Sequence, residues 1–182
     1  MTSTSSALSS DDLVLDQGGL DAARSSLDDG AVTPALGPHR DAIVKLLNDA
    51  LATELVCILR YKRHHFTATG LASPAIAEEF MVHALEETEH ADAIAKRIVQ
   101  LGGSPDFSPS TLLTRSHADY DDSTDLKTMV RVNLIAERIA IEAYHQMIQL
   151  IGDKDTTTRR MLEHILSQEE EHADELSDWL ED

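Results

Sequence analysis

The chain has 182 residues, with 15 Lys+Arg against 33 Asp+Glu, so its formal net charge is 15 − 33 = −18 with its nine histidines neutral. That balance excludes the simplest nucleic-acid-binding reading, which needs a basic stripe to neutralise phosphates, and disfavours adhesion to an anionic membrane surface. It favours small cations as partners.

The length suits one domain with a substantial core, plus a tail. A lone cysteine, Cys57, leaves no intramolecular disulfide. No segment approaches the ~18 apolar residues of a membrane span. The first residues show no basic start followed by an apolar secretory run, so a soluble cytoplasmic protein is expected. Eight Gly, five Pro and few aromatics, with abundant Ala, Leu, Ile and Glu, point to an all-α fold.

Residues 1–38 read as a flexible acidic tail, rich in Ser, Asp and Gly, with six Asp against one Arg. An adaptor helix around Leu13 to Leu27 is the alternative there. From residue 39 to 182 the pattern is helical. Ile43, Leu47, Ala50, Glu54, Ile58, Tyr61 and His65 recur at steps of three and four, which predicts a first long helix from about 40 to Thr69. Ser73-Pro74 reads as an N-cap followed by a proline in the first turn. Ile76, Phe80, His83, Glu87, His90, Ile94, Ile98 and Leu101 form the second stripe, closed by Gly102-Gly103. A loop of about twenty residues follows, long enough to carry the chain from one end of a bundle to the other. The third helix, from near Thr124, shows Leu126, Val130, Asn133, Glu137, Ile141, Tyr144, Ile148 and Ile151 before Gly152. The fourth shows Leu162, Ile165, Glu169, His172, Leu176 and Trp179 in phase. Two short links and one crossover between helices two and three specify a four-helix bundle.

Each apolar stripe is broken near its middle by a glutamate: Glu54, Glu87, Glu137 and Glu169. Helices two and four add a histidine three residues on, His90 and His172, which puts each Glu-x-x-His pair on one helix face. The halves also repeat. Glu54 precedes Tyr61, and Glu137 precedes Tyr144, by the same seven residues, and EHAD occurs at 89–92 and again at 171–174. A two-fold arrangement of the halves brings four carboxylates and two imidazoles together inside the bundle. Four ionised carboxylates in a low-dielectric core repel strongly, so either they hold protons or cations sit among them. Two divalent ions supply +4 against −4, and a carboxylate–imidazole set suits iron, manganese or zinc. Solvated acids on four separate helices would leave the matched spacing unexplained.

At these residues the sequence resembles the ferritin-like di-iron carboxylate family, over about residues 40 to 180. ELVCILRY, EETEHAD and SQEEEHADELSDWL are similar to the first, second and fourth helices of bacterioferritins, and the chain as a whole resembles miniferritins that lie between these and the DNA-protecting proteins of starved cells. The resemblance implies a ferroxidase that oxidises Fe(II) with O2 or H2O2 and stores iron. Glu87 and Glu169 would bridge two irons, with Glu54 and His90 completing one and Glu137 and His172 the other. Tyr61 would lie beside the site, as a source of an electron or a hydrogen bond.

The departures from the family pattern matter too. The haem-clamping methionine of bacterioferritins is replaced by Thr88, which puts haem in doubt. A fifth helix is missing after Trp179, which favours a dodecamer over a 24-mer. RYKRHHFTATG is similar to the DNA-protecting proteins, whose iron lies between subunits, yet the intra-bundle set favours packing or access roles for His64 and His65. His83 is expected either near the site or as a hydrogen-bonded core residue; Glu86, Glu89, Glu170 and Glu171 are expected on solvated faces. The rivals are a rubrerythrin-like peroxidase, weakened by the lack of a Cys-x-x-Cys pair, a manganese catalase, and a DNA-compacting protein. The tail's charge of +1 − 6 = −5 argues against direct DNA binding.

Overall fold

Four long helices carry the stripes expected of them, and the computed structural model, which describes residues 14–25 and 27–181, fixes their ends. In chain order the helices are α1 (Gln17–Ala23), α2 (Arg40–Thr67), α3 (Ser73–Gln100), α4 (Leu112–Arg115), α5 (Leu126–Ile151) and α6 (Thr156–Glu181), with no strand among the described residues. α2 packs along α3 and α5 along α6, and the two pairs join to close the bundle. No helix among the described residues is long and apolar enough to cross a membrane.

The segment read as a tail holds the short helix α1, within the span of the adaptor-helix alternative. The Asp16 carboxylate caps it by accepting from the amides of Gly18 and Gly19, each at 3.0 Å, and it buries no residue. Residues 1–13 lie outside the described residues. The N-cap expected at Ser73 is corrected. Ala72 holds that position, and Ser73 Oγ instead donates to the Gly70 carbonyl at 2.8 Å. At the start of α5, Asp125 accepts from the Thr128 amide at 2.9 Å. α5 ends at Gly152, whose φ of +51° is a left-handed conformation that glycine adopts without strain.

The crossover between α3 and α5 lies against α2 and is held by its polar side chains. Asn48 Oδ1 accepts from the Asp106 amide at 2.7 Å, and Thr53 Oγ1 accepts from the His117 amide at 3.0 Å. Arg60 Nη1 donates to the Asp119 carbonyl at 2.9 Å and Arg63 Nη2 to the Asp122 carbonyl at 2.8 Å. At Gly103 a Cβ would stand 2.7 Å from Val44 Cγ1, so the close approach of loop and helix needs glycine.

The apolar core of the described residues has two large clusters, besides a small third one of Ala52, Val56 and Leu112 under the crossover. One joins Leu47, Leu51, Ile94, Ile98, Leu162 and Ile165; the other joins Tyr61, Phe80, Ala84, Met129, Val130 and Leu176. Burying each Leu or Ile contributes about 2 kcal/mol. Because neighbouring helices run antiparallel within each pair, the two clusters occupy opposite ends of the bundle and leave the mid-helix glutamates as a layer between them. Trp179, expected inward, is partly exposed at the end of α6, 36% of its surface reaching solvent; the last turn extends beyond the layers that would cover it.

Candidate metal centre

Glu54, Glu87, His90, Glu137, Glu169 and His172 converge in that middle layer, and none is more than 3% exposed. They form two overlapping groups, Glu54–Glu87–His90–Glu169 and Glu87–Glu137–Glu169–His172, each offering ligand atoms within 4.8 Å of one another. His90 Nδ1 lies 3.4 Å from Glu54 Oε2, 3.3 Å from Glu87 Oε2 and 3.1 Å from Glu169 Oε1. His172 Nδ1 lies 3.7 Å from Glu87 Oε1, 3.9 Å from Glu137 Oε2 and 3.8 Å from Glu169 Oε2. Glu87 and Glu169 therefore turn one oxygen to each side, whereas Glu54 and Glu137 each serve one.

Both imidazoles are oriented from behind. His90 Nε2 donates to Gln168 Oε1 at 3.2 Å and His172 Nε2 to Glu86 Oε2 at 2.9 Å. With Nε2 held from behind, it is Nδ1 that faces the carboxylates, and its lone pair becomes available to a cation once the Nδ1 proton leaves. Glu86, expected on a solvated face, is instead a half-buried partner of a site histidine. The two tyrosines cross over between halves. Tyr61 Oη donates to Glu137 Oε1, and Tyr144 Oη donates to Glu54 Oε1. Tyr61 thus stands against Glu137 at the edge of the layer. Spacing pairs Tyr144 with Tyr61 but does not single out Glu86 or Gln168; the available signal is that Glu86 and Gln168 each immediately precede the glutamate of a Glu-x-x-His pair.

Burial pushes Glu87 well above the usual carboxylate range, helped by the charges of Glu169, Glu54 and Glu137. Burial, then Glu54 and Glu137, raises Glu169 to about 8. Burial acts upward on Glu137 too, but the nearby His172 imidazole and the Glu169 and Tyr61 contacts hold it down at about 2. Glu54 is likewise lowered against burial, by Glu87, His90 and Tyr144. Burial opposes charge on both histidines, yet the surrounding carboxylates raise His172 to about 11 and lift His90 well above its usual range. Left to themselves, the six side chains balance two carboxylates against two imidazoliums by retaining protons on Glu87 and Glu169.

That balance leaves polar atoms unsatisfied. Of the eight buried side-chain polar atoms lacking a hydrogen-bond partner among the described residues, six belong here: Glu54 Oε2, Glu87 Oε1, Glu137 Oε2, both Glu169 oxygens and His172 Nδ1. Glu169 Oε1 is near His90 Nδ1 but outside hydrogen-bonding direction. Buried polar atoms are nearly always paired, so this concentration marks a place shaped for another species. Four carboxylates and two neutral imidazoles match a pair of divalent cations in charge, and the mixed oxygen–nitrogen set suits iron, manganese or zinc.

The remaining candidates fall outside this layer. His83 is fully buried, with Nδ1 3.2 Å from Tyr61 Oη and Nε2 2.9 Å from Glu175 Oε2. His64, not His65, is the buried member of its pair: it accepts from Asn133 Nδ2 at 3.0 Å and packs on Phe80. His65 is half-exposed and bonds the Ala77 carbonyl. Thr88 turns its hydroxyl back to the Ala84 carbonyl at 2.7 Å. Glu89, Glu170 and Glu171 are exposed, as expected. Arg60, unmarked in the sequence, is a buried cation one turn from Cys57 that donates to Asn133 Oδ1 at 2.7 Å and so braces α2 against α5.

The arrangement has counterparts among known proteins. A family model for the ferritin-like domain matches residues 44–182. The chain belongs to the ferritin-like family. Its relatives include a bacterioferritin of Desulfovibrio desulfuricans, 27% identical over 71% of this chain and 69% of the relative. A DNA protection during starvation protein of Halobacterium salinarum is 32% identical over 76% of this chain and 78% of its own length. Among solved structures, a bacterioferritin-related dodecameric thioferritin of Bacteroides fragilis is 32% identical, with a TM-score of 0.75 over 78% of this chain and 85% of the other. Ferritin-like kinship and the all-helical bundle, expected from the sequence, both hold.

Proposed function

We propose that the chain is a ferroxidase that detoxifies and stores iron, its substrate Fe(II) ions being held in pairs inside the bundle. The reading is carried by one observation: Glu87 and Glu169 each turn one oxygen towards either histidine, as two shared carboxylates would. In this reading Glu54 and His90 complete one position, and Glu137 and His172 the other. Each Fe(II) gives up one electron, and O2 or H2O2 accepts the pair; with H2O2 and two protons the products are two Fe(III) and two waters. The side chains match charge, fix orientation and keep bulk water out of the layer. Tyr61 and Tyr144 hold the terminal carboxylates by hydrogen bonds, and Tyr61 is the candidate to lend an electron.

The dodecameric assembly named for the Bacteroides relative supports a twelve-subunit shell here, in which oxidised iron is stored, and cytoplasmic residence fits that role. The Halobacterium relative is named for DNA protection. For this chain, with a net charge of −18, protection follows from removing Fe(II) and oxidant, with no direct grip on DNA.

The test is an anaerobic Fe(II) titration of metal-free protein followed by oxidant. Two equivalents per chain, and a ferric absorbance on oxidation, are expected; saturation at one equivalent or none would refute the reading. Rapid peroxide disproportionation by manganese-loaded protein, without iron oxidation, would transfer the site to a manganese catalase.

A further inference from the structure

The repeat relates α3 to α6 by a constant offset: Glu87 to Glu169 and His90 to His172 both differ by 82 residues. The ligand atoms obey this symmetry, and their surroundings break it. Glu86 corresponds to Gln168, His83 to Ile165, Glu79 to Met161 and Glu175 to Ala93. Behind His172, therefore, Glu86 accepts its Nε2–H at 2.9 Å, and the His83 ring stacks on its face with centroids 4.2 Å apart. His83 in turn faces Glu175 at 2.9 Å and Glu79 at 3.5 Å. Behind His90 stands the neutral amide of Gln168, at 3.2 Å, and the positions matching His83 and Glu79 are Ile165 and Met161 of the apolar cluster.

We infer that the two positions are unequal and fill in order, the Glu137–His172 position taking the first divalent cation, with Glu86 as the positioning residue that sets the order. The inference rests on the two-cation reading above. An imidazole whose outer N–H is held by a carboxylate is a stronger donor at its inner nitrogen than one held by an amide. Glu86 also adds a full negative charge, only 39% exposed, against the ring that faces the ion. Gln168 gives His90 the same orientation without the charge. Glu79, Glu175 and Asp178 line the surface depression on the His172 side, so the local field draws cations to the same half.

The test is a titration of metal-free, full-length protein with Co(II) alone, against a chelator of known affinity, at fixed pH. Wild type should take two equivalents in two steps. Glu86→Gln should still take two, with first-step affinity lowered about tenfold. Gln168→Glu should raise second-step affinity by a similar factor and leave the first step within about twofold, the statistical gain from a second equal position. In the double variant E86Q/Q168E first-step affinity should return, which a structural defect at residue 86 would not produce, since residue 168 lies on another helix. Two equivalents with an unchanged first step in Glu86→Gln, or no rescue in the double variant, overturns the ordering and leaves the paired-cation reading standing. Fewer than two equivalents in wild type overturns that reading, and the ordering with it.

Discussion

At one end of the bundle Arg97 Nη2 donates to both oxygens of Asp155 at 2.9 Å, its Nε donates to Thr158 Oγ1 at 2.8 Å, and the Thr158 amide donates back to Asp155 Oδ1 at 3.0 Å. Asp155 thereby caps α6 and neutralises a cation from the last turn of α3. In the middle layer six ionisable groups are buried just as deeply, but four are carboxyl groups crowded together and six of the layer's atoms have no hydrogen-bond partner. Both groups are costly to desolvate. The first repays that cost within the protein and is architecture, whereas the second leaves atoms unpaired and, on the proposed reading, is completed by cations. Depth of burial does not separate the two; complementarity does.

Removing a shared carboxylate is the largest way to break the comparison. Glu87→Ala should reduce Fe(II) oxidation to the uncatalysed background, because both positions lose a ligand. It should not unfold the metal-free bundle, since it also removes repulsion. Zinc or cobalt should raise the melting temperature of wild type through preferential binding to the folded state and leave that of the variant unchanged. Wild-type oxidation rates in Glu87→Ala would refute the site.

The opposite profile is expected at the satisfied pair. Asp155→Ala leaves the Arg97 guanidinium without its carboxylate and α6 without its cap, and should cost about 3–5 kcal/mol, roughly 10 °C in melting temperature. Cation stoichiometry should stay at two per chain. Although burial acts upward on Asp155, its bonds to Thr158 and Arg97 hold its pKa below the usual value. A group depressed on folding stabilises above its unfolded pKa and loses that contribution as pH falls through the folded one. Wild type should therefore lose stability in acid by an amount absent from Asp155→Ala, and parallel acid-melting curves for the two proteins would contradict this.

The sequence shows the site more fully than its surroundings. Glu54, Glu87, Glu137 and Glu169 stand out because a charge in an apolar stripe has no bland reading once it recurs on four helices, and the i,i+3 histidines share their face. Glu86 and Gln168 lie about 100° further round each helix, where spacing cannot say whether a side chain meets solvent or the neighbouring helix. That depends on how closely α3 and α6 approach. The same angular ambiguity separates buried His64 from half-exposed His65. The reciprocal bonds of Tyr61 and Tyr144 join helices from opposite halves, which a repeat read along one chain cannot display. Trp179 keeps the helical phase but lies beyond the layers that would bury it, and Ser73 offers a capping side chain that bonds elsewhere.

Proton release sharpens the contrast between the two groups. Glu87 and Glu169 hold two protons near neutrality, and His90 and His172 hold two more, so binding two cations should expel up to 2 + 2 = 4 protons. Affinity should accordingly rise with pH, the slope falling by one proton as Glu169 passes its value of about 8 while the imidazolium protons of His90 and His172 are still displaced. Cobalt titrations by calorimetry, in buffers of different ionisation enthalpy, count these protons directly; a release near zero would mean that the carboxylates carry full charge without cations, contrary to the electrostatics of the layer.

The smallest expected effect separates the two tyrosines. Burial and then the neighbouring carboxylate raise the pKa of each well above its ordinary value, Glu137 acting on Tyr61 and Glu54 on Tyr144, so both stay protonated and donate. Replacing either by Phe strips a hydrogen bond from a buried carboxylate, a loss of about 1–2 kcal/mol. The hydroxyl of Tyr61 also stands 3.2 Å from His83 Nδ1, so its removal deprives two buried groups of a partner. Tyr61→Phe should therefore slow Fe(II) oxidation several-fold and lower stability more than Tyr144→Phe, while both variants still take two cobalt ions per chain. Equal effects at the two positions would mean that His83 contributes nothing to Tyr61, and that the asymmetry of the surroundings stops at Glu86.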